Sequence, residues 1–356
     1  MMCARSVDGW SSSDGGDYYS NLKIVGVGGG GCKAIEHMIS DSDRVKRPVG
    51  MATFIAIDTD KETLGRSEAS TTLLLENEFI CGQGCSGNPT LGRDVAIANR
   101  ETLQNYLSGT EVLFIVASLG GGTGSGVTPV LAEIAREMNI STVAVVTLPC
   151  SFEGAQRDNY ATVGKIKLYQ QVPTIIIPNG QFLGDGVTPL GAFAAANDRQ
   201  LEAIRALAEM INPDITMICS DVDAALSYMS MGLPSKIGIG FSSGDNRAEE
   251  AAKKAIDDLK PYSNQNKNEL NCLIFNIAHD PSLTMDEFDT IINSFKSILS
   301  GDLIPGMFLD PRIENGIRVT AIASYSPPDL GVFGCFGDVY ENNLPHETLD
   351  STDKPD

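Results

Sequence analysis

Five short runs of nearly unbroken apolar residues constrain this chain more than any other feature. They are Leu22–Val25, Phe54–Ile57, Val112–Val116, Thr142–Val146 and Thr174–Ile177. Runs this short do not suit buried helices, and strands wet on one face would alternate apolar with polar residues. The pattern predicts strands covered on both faces, as in a parallel sheet. Helical patterns lie between them, at Ala34–Ile39, Arg93–Tyr106, Pro129–Met138 and Tyr160–Gln170. Strands alternating with helices predict a doubly wound α/β domain. A longer helical pattern, Asn197–Ile211, carries Leu201, Ile204, Leu207, Ala208 and Ile211 on one face and stops at Asn212-Pro213.

Beyond that helix the order is less regular. A helix is expected from Val222, strands at Lys236–Phe241, Leu273–Ala278, Gly306–Leu309 and Ile317–Ala323, and helices at Arg247–Leu259 and Met285–Ile298. Pro261–Asn268 reads as a polar loop. The expected layout is a Gly/Ser-rich flexible arm at 1–20, a nucleotide-type α/β domain at 21–196, a central helix at 197–211, a smaller α+β domain at 212–325 and an acidic tail at 326–356.

Charge narrows the function. With 26 Lys+Arg against 46 Asp+Glu, the chain of 356 residues carries −20 at pH 7. Nucleic-acid backbones and anionic membranes would repel it, so neither is expected as a main partner. No run approaches the ~18 apolar residues of a membrane span, and Met1–Ser20 has no apolar signal core, so a cytoplasmic location without membrane insertion is expected. Eight cysteines are scattered, and the close pair Cys81 and Cys85 has no nearby His or second Cys pair to complete a zinc site, so no metal centre is expected.

Two glycine-rich turns carry the chemistry. In the first, the strand at Ile24-Val25 runs into Gly26–Gly31 and then a helical pattern. Glycines let a backbone approach a phosphate, and a helix N-terminus offers free N–H donors; tight strand–helix packing explains the same glycines equally well. The second, Gly120-Gly121-Gly122-Thr123-Gly124-Ser125-Gly126, also lies between a buried strand and a helix. Its hydroxyls and N–H groups suit phosphate oxygens. Two such loops at the C-terminal ends of parallel strands should share one crevice. A dinucleotide-binding unit needs only the first loop; a dehydrogenase reading from Gly26, Gly28, Gly31 and Asp58 leaves the second unexplained. A Walker-type loop would need Gly-Lys-Ser/Thr, which is not in either turn.

With these motifs in this order, the chain resembles the tubulin/FtsZ superfamily of self-assembling GTPases, on the FtsZ side. Residues 120–126 look like the superfamily signature loop, and Gly28–Lys33 is similar to the first FtsZ phosphate loop. Gly82–Gly92 with Asn88-Pro89, Phe152-Glu153-Gly154, Ile177-Pro178-Asn179, Ala196-Asn197-Asp198 and Gly244–Ala252 match further segments, so the likeness covers roughly 21–325. The resemblance implies the tubulin/FtsZ fold: a Rossmann-like parallel-sheet GTP-binding domain, a long central helix and a smaller α+β domain. It implies GTP or GDP with Mg²⁺ as ligands. Phosphate contacts are implied for Gly29, Gly30, Gly31, Gly122, Thr123 and Gly124, with Cys32 and Lys33 completing the first loop. Ribose contacts are implied for Glu153 and Arg157, which could equally form an i,i+4 surface ion pair. A guanine contact is implied for Asn197.

Three positions depart from the family pattern or fall outside it. Asp58 stands where FtsZ has Asn, either as a ribose acceptor or as a solvated strand-end residue. His37 reads as a packing or surface residue. In the loop after the central helix, where FtsZ presents Asn-x-Asp-x-x-Asp to the next subunit's nucleotide, the matching residues are Thr216, Ile218 and Asp221. Asp221 and Asp214 are the candidate catalytic carboxylates, although Asp221 also suits a helix N-cap. The expectation is a self-assembling, head-to-tail filament protein of cell division with slow GTP hydrolysis. The alternative is a non-catalytic GTP-binding paralogue that co-assembles with or regulates an FtsZ. Partners are thus the chain itself and another FtsZ or division proteins.

Overall fold

A computed structural model describes residues 21–40, 52–211, 216–218, 229, 234–259, 270–299 and 301–325. The expected arm, tail, Val222 helix and Pro261–Asn268 loop lie outside the described residues.

Among the described residues, eleven strands form one sheet in the order β3-β2-β1-β4-β5-β6-β8-β11-β9-β10-β7. Strands β1 (Leu22–Val27), β2 (Thr53–Asp58), β3 (Thr71–Leu74), β4 (Val112–Ser118), β5 (Ser141–Leu148) and β6 (Thr174–Pro178) are mutually parallel. Each of the five apolar runs lies in one of them. Their alternate residues feed two cores: Phe114 and Val116 face one side of the sheet, Leu113, Ile115 and Ala117 the other. Burial on both faces is the physical reason the runs lack alternation. Strand β3, formed by Thr71-Thr72-Leu73-Leu74, was not expected. It pairs only with β2, and a four-residue edge strand carries little pattern of its own.

The helices begin earlier than side-chain periodicity indicates. Helix α1 spans Gly28–Ser40, α2 Lys61–Leu64, α3 Pro89–Ala98, α4 Arg100–Leu107, α5 Gly122–Glu137 and α6 Ala155–Tyr169. The expected helix at Arg93–Tyr106 is two helices meeting at Asn99, whose Nδ2 donates to the Glu76 carbonyl. Both glycine-rich turns are themselves first turns of helix, since glycine's low helix propensity is overridden by close packing. A β-carbon on Gly26 would sit 2.6 Å from the Gly31 carbonyl oxygen, and one on Gly31 would overlap the Val116 carbonyl oxygen. Only residues without a β-carbon let α1 lie this close to β1 and β4.

The central helix, α7, runs Pro189–Ile211, eight residues longer at its start than expected. After it, β8 (Pro234–Ser243) joins the sheet beside β6, and β11 (Gly316–Tyr325), β9 (Leu270–His279), β10 (Asp302–Leu309) and β7 (Thr216–Ile218) continue it. Thr216–Ile218, expected in a loop, pairs antiparallel with Met307–Phe308. Helices α8 (Arg247–Leu259) and α9 (Met285–Lys296) cover β9 and β11 around Phe275 and Phe295, whose rings stack at 5.3 Å. Thr284 caps α9 by accepting from Glu287 N–H, and the Glu287 carboxylate accepts from Thr284 N–H in return.

A buried ionic cluster fastens α7 to the later strands. Arg205 donates through Nε to Glu209 Oε1 at 2.8 Å and through Nη2 to Asp310 Oδ2 at 2.8 Å. Arg318 lies 3.2 Å from the same Glu209, and Arg312 2.8 Å from the same Asp310. Burial pushes the Glu209 carboxyl up, against the pull of Arg318 and Arg205. Burial also pushes Asp310 up, but the Arg312 hydrogen bonds and the Arg312 and Arg205 charges hold it below the ordinary range. Removing one member of such a cluster strands its partners in a low-dielectric site, typically at a cost of ~3–5 kcal/mol. Arg205→Met should therefore lower unfolding free energy by about that amount in urea titration. A loss under ~1 kcal/mol would mean that water reaches the cluster and screens it.

Candidate functional site

An open cavity of about 480 Å³ lies at the C-terminal ends of β1, β4, β5 and β6. This is where a doubly wound sheet places its ligands. Gly28, at φ +73°, turns the chain from β1 into α1, and Gly29 and Gly30 follow it along the cavity wall. From β4, Ser118 leads through Gly120 (φ +106°) into Gly121–Gly124 on the opposite wall. Gly120 N–H donates to the Ser125 hydroxyl at 2.7 Å and fixes the turn. Nothing would obstruct a β-carbon at Gly121, and at Gly29 the nearest atom would be 4.0 Å away. These glycines leave space, whereas Gly26 and Gly31 fill it. Open space lies beside Gly29 and Gly121, whereas Gly26, Gly31 and Gly124 are held by close packing.

The candidate residues do not all face the cavity alike. Lys33 does, from the exposed side of α1. Cys32 points the other way: it is fully buried, with Sγ 3.9 Å from the Gly26 and Ile57 carbonyls, and burial together with the charges of Asp58 and Glu36 pushes its thiol up to about 12. Cys32 and Gly31 thus serve the packing of the loop, and Gly28 stands at the cavity instead. Thr123 and Gly124 line it, and Thr123 Oγ1 is 2.7 Å from Thr59 Oγ1.

Glu153 and Arg157 form the expected i,i+4 ion pair, and they do so at the border of the cavity. Glu153 Oε1 accepts from Cys150 N–H at 2.8 Å, its Oε2 accepts from Arg157 Nη1 at 2.6 Å, and both residues border the cavity. The ion pair holds Glu153 in place, while Arg157 remains more than half exposed.

Asn197 faces the cavity from α7. One turn from it, Gln200 donates to the Val145 carbonyl at 3.0 Å, which seats the helix on β5. His37 is no simple surface residue: its Nε2 lies 2.8 Å from Asp198 Oδ1 at the cavity edge, tying α1 to α7. Asp58 is not solvated either. It is 3% exposed and lies behind the two glycine loops, because β2 ends beneath them. The candidate carboxylates Asp214 and Asp221 lie outside the described residues.

Sequence reasoning missed Ser118, Thr147, Leu190 and Phe193, which complete the walls, and gave Asn179 no role. Asn179 is buried, and its Oδ1 has no hydrogen-bond partner among the described residues. A buried acceptor without a donor is costly unless a ligand supplies one. Phe193 precedes Asn197 by four residues, one helical turn, and a longer estimate of α7 would have revealed it. Two open glycine loops, an orphaned acceptor and the Asn197 amide fit a nucleoside polyphosphate: backbone N–H groups for phosphates, amides for a base. Among the described residues no group of three or more His, Cys, Asp and Glu is placed to hold a metal ion.

Comparison with known proteins gives the following. Residues 21–185 match the Tubulin/FtsZ family GTPase domain, and residues 234–325 match the FtsZ family C-terminal domain. The chain is 38% identical over 309 residues to the cell division protein FtsZ of Buchnera aphidicola subsp. Schizaphis graminum, covering 85% of this chain and 78% of that protein. It is 36% identical over 314 residues to that of Coxiella burnetii, covering 86% and 78%. Among solved structures, an empty FtsZ dimer from M. jannaschii superposes with a TM-score of 0.75 at 29% identity, covering 85% of this chain and 88% of that one. A GTPgS-bound protofilament of CetZ2 from Haloferax volcanii shares the fold at a TM-score of 0.73 and 18% identity, covering 86% and 93%.

Proposed function

The chain belongs to the FtsZ family of tubulin-like GTPases, and on that premise we propose that it binds GTP in the cavity between the two glycine loops and polymerises head to tail in cell division. The observation that carries this reading is the joining of both loops, Lys33, Arg157 and Asn197 around one cavity of nucleotide size. Gly29, Gly30, Gly122, Thr123 and Gly124 hold the phosphates, Glu153 and Arg157 the ribose, and Asn197 with Asn179 the base side. Mg²⁺, usual with this family's nucleotide, supplies charge neutralisation along the phosphates.

Self-association follows the FtsZ dimer to which the chain is similar. A head-to-tail contact is heterologous and does not close, so it extends into filaments. Each subunit then caps the nucleotide of its neighbour, and a carboxylate from the segment after α7, Asp214 or Asp221, orients the attacking water. Hydrolysis is slow: Ile218 stands at one acidic position of the family pattern, and Thr216–Ile218 is paired into β7. A cytoplasmic setting suits this role; among the described residues no helix is long and apolar enough to cross a membrane.

Calorimetry with GTP, GDP and ATP tests the ligand. GTP and GDP should bind at least tenfold more tightly than ATP, since Asn197 matches guanine edges. Asn197→Ala should erase most of that preference, as lost polar pairing costs ~1–3 kcal/mol. Equal or tighter ATP binding would remove the reading.

A further inference from the structure

Beneath the two glycine loops lies a polar chain of which nucleotide binding as described uses only Thr123. Asp58 closes β2, and its Oδ1 accepts from Thr59 N–H at 2.7 Å and Asp60 N–H at 3.3 Å. The Thr123 hydroxyl also favours the ionised form of the same carboxyl. Thr123 Oγ1 is also 2.7 Å from Thr59 Oγ1, which is 3.3 Å from Cys85 Sγ. The end of β2, the second glycine loop and the loop before α3 are therefore one hydrogen-bonded unit. Asp58 Oδ2 is the atom nearest to where a β-carbon on Gly29 would project, at 4.0 Å. The carboxyl thus lies close to both glycine loops.

The groups around Asp58 leave its charge uncompensated. Its own segment brings Asp60, which is acidic. Helix α1 brings the buried Cys32 thiol and, further off, Glu36. Helix α5 brings the uncharged Thr123, and the loop before α3 brings Cys85. From beyond β3, Leu75 supplies an N–H to the Asp58 carbonyl. Among the described residues, the groups that act most strongly on the carboxyl include no cation; burial pushes it up, and the N–H bonds and the Thr123 hydroxyl offset this in part. A buried carboxylate and a polyphosphate cannot share a low-dielectric site as neighbouring anions without a large penalty.

We propose that Asp58 is a positioning residue that takes up a proton when the nucleotide binds, so that a neutral carboxylic acid braces Gly29 and Thr123 from behind. The inference rests on the GTP reading. Proton uptake makes affinity pH-dependent with a definite sign. Between the carboxyl's value in the free protein and its higher value in the complex, GTP affinity falls up to tenfold for each unit of rising pH. Above that window Asp58 is ionised in both states and the penalty is complete.

Asp58→Asn is isosteric, keeps an oxygen for the Thr59 and Asp60 N–H groups, and is neutral at every pH. Titration calorimetry with GTP, from pH 6 to 8.5 in buffers of unlike ionisation enthalpy, counts protons for both proteins. The difference between them cancels ionisation of GTP itself. The wild type should take up as much as one proton more than the variant, and the variant should bind at least tenfold more tightly at the alkaline end. A ¹³C-carboxyl titration of wild-type Asp58 with and without GTP needs no variant and should show its midpoint rise on binding. Equal proton counts, parallel pH curves or an unmoved midpoint would overturn the inference, as would a difference appearing only when Mg²⁺ is added, which would assign neutralisation to the cation. A purely structural Asp58 would shift affinity equally at every pH. No binding heat from the folded wild type would instead overturn the GTP reading, and the inference with it.

Discussion

Gly124→Ala will weaken GTP binding about 100-fold. A β-carbon there would overlap the Ser118 carbonyl oxygen, which is backbone of β4 and cannot swing aside. Helix α5 must then back away from β4, carrying Thr123 off Thr59 and breaking the shape of the phosphate cradle. Overpacking against a rigid neighbour costs ~1–3 kcal/mol, and the upper end corresponds to about 100-fold at ~1.4 kcal/mol per tenfold. Gly30→Ala meets the Ser118 β-carbon, which no rotamer change moves, so its loss should be of similar size. Gly180→Ala, in open space and without a positive φ, should change little. Calorimetry gives the affinities, and thermal unfolding of each variant separates a displaced loop from an unfolded chain. Equal binding by Gly124→Ala and Gly180→Ala would show that the second loop does not hold the phosphates.

The other large effect concerns turnover. General-base positioning is typically worth ~10²–10⁴-fold, about 3–5.5 kcal/mol of barrier. If Asp214 or Asp221 orients the water, its replacement by Ala lowers phosphate release by that factor and leaves GTP affinity nearly unchanged, because the residue acts on a neighbour's nucleotide. Ile218→Asp restores a carboxylate at the family position and should raise the rate. A slow wild-type rate unaffected by either alanine change, and not raised by Ile218→Asp, would place the water-orienting group elsewhere in the chain.

What the sequence revealed and what it hid follow from the same physics. The parallel sheet was legible because Val112–Val116 and its counterparts are buried on both faces. The two glycine-rich turns were legible as strand-to-helix connections because each lies between an apolar run and a helical pattern. Helix starts were hidden, since periodicity is carried by side chains and Gly28–Gly31 has none. A strand-end Asp is usually wet; the burial of Asp58, against the solvated alternative, comes from two distant loops folding over it. His37 and Asp198 meet across 161 residues, a contact no local pattern encodes. Thr216–Ile218 was read as loop because three residues give no strand signal, yet β10 offers them an edge.

The central claim is that one chain binds GTP and a second completes the site. Phosphate release per subunit, measured across protein concentration alongside sedimentation with GTP and Mg²⁺, tests it most directly. The expected result is a slow rate that rises steeply above a threshold concentration, with pelletable filaments appearing at the same threshold and neither seen with the Gly124→Ala chain. A rate per subunit independent of concentration, from protein that stays monomeric, would contradict it.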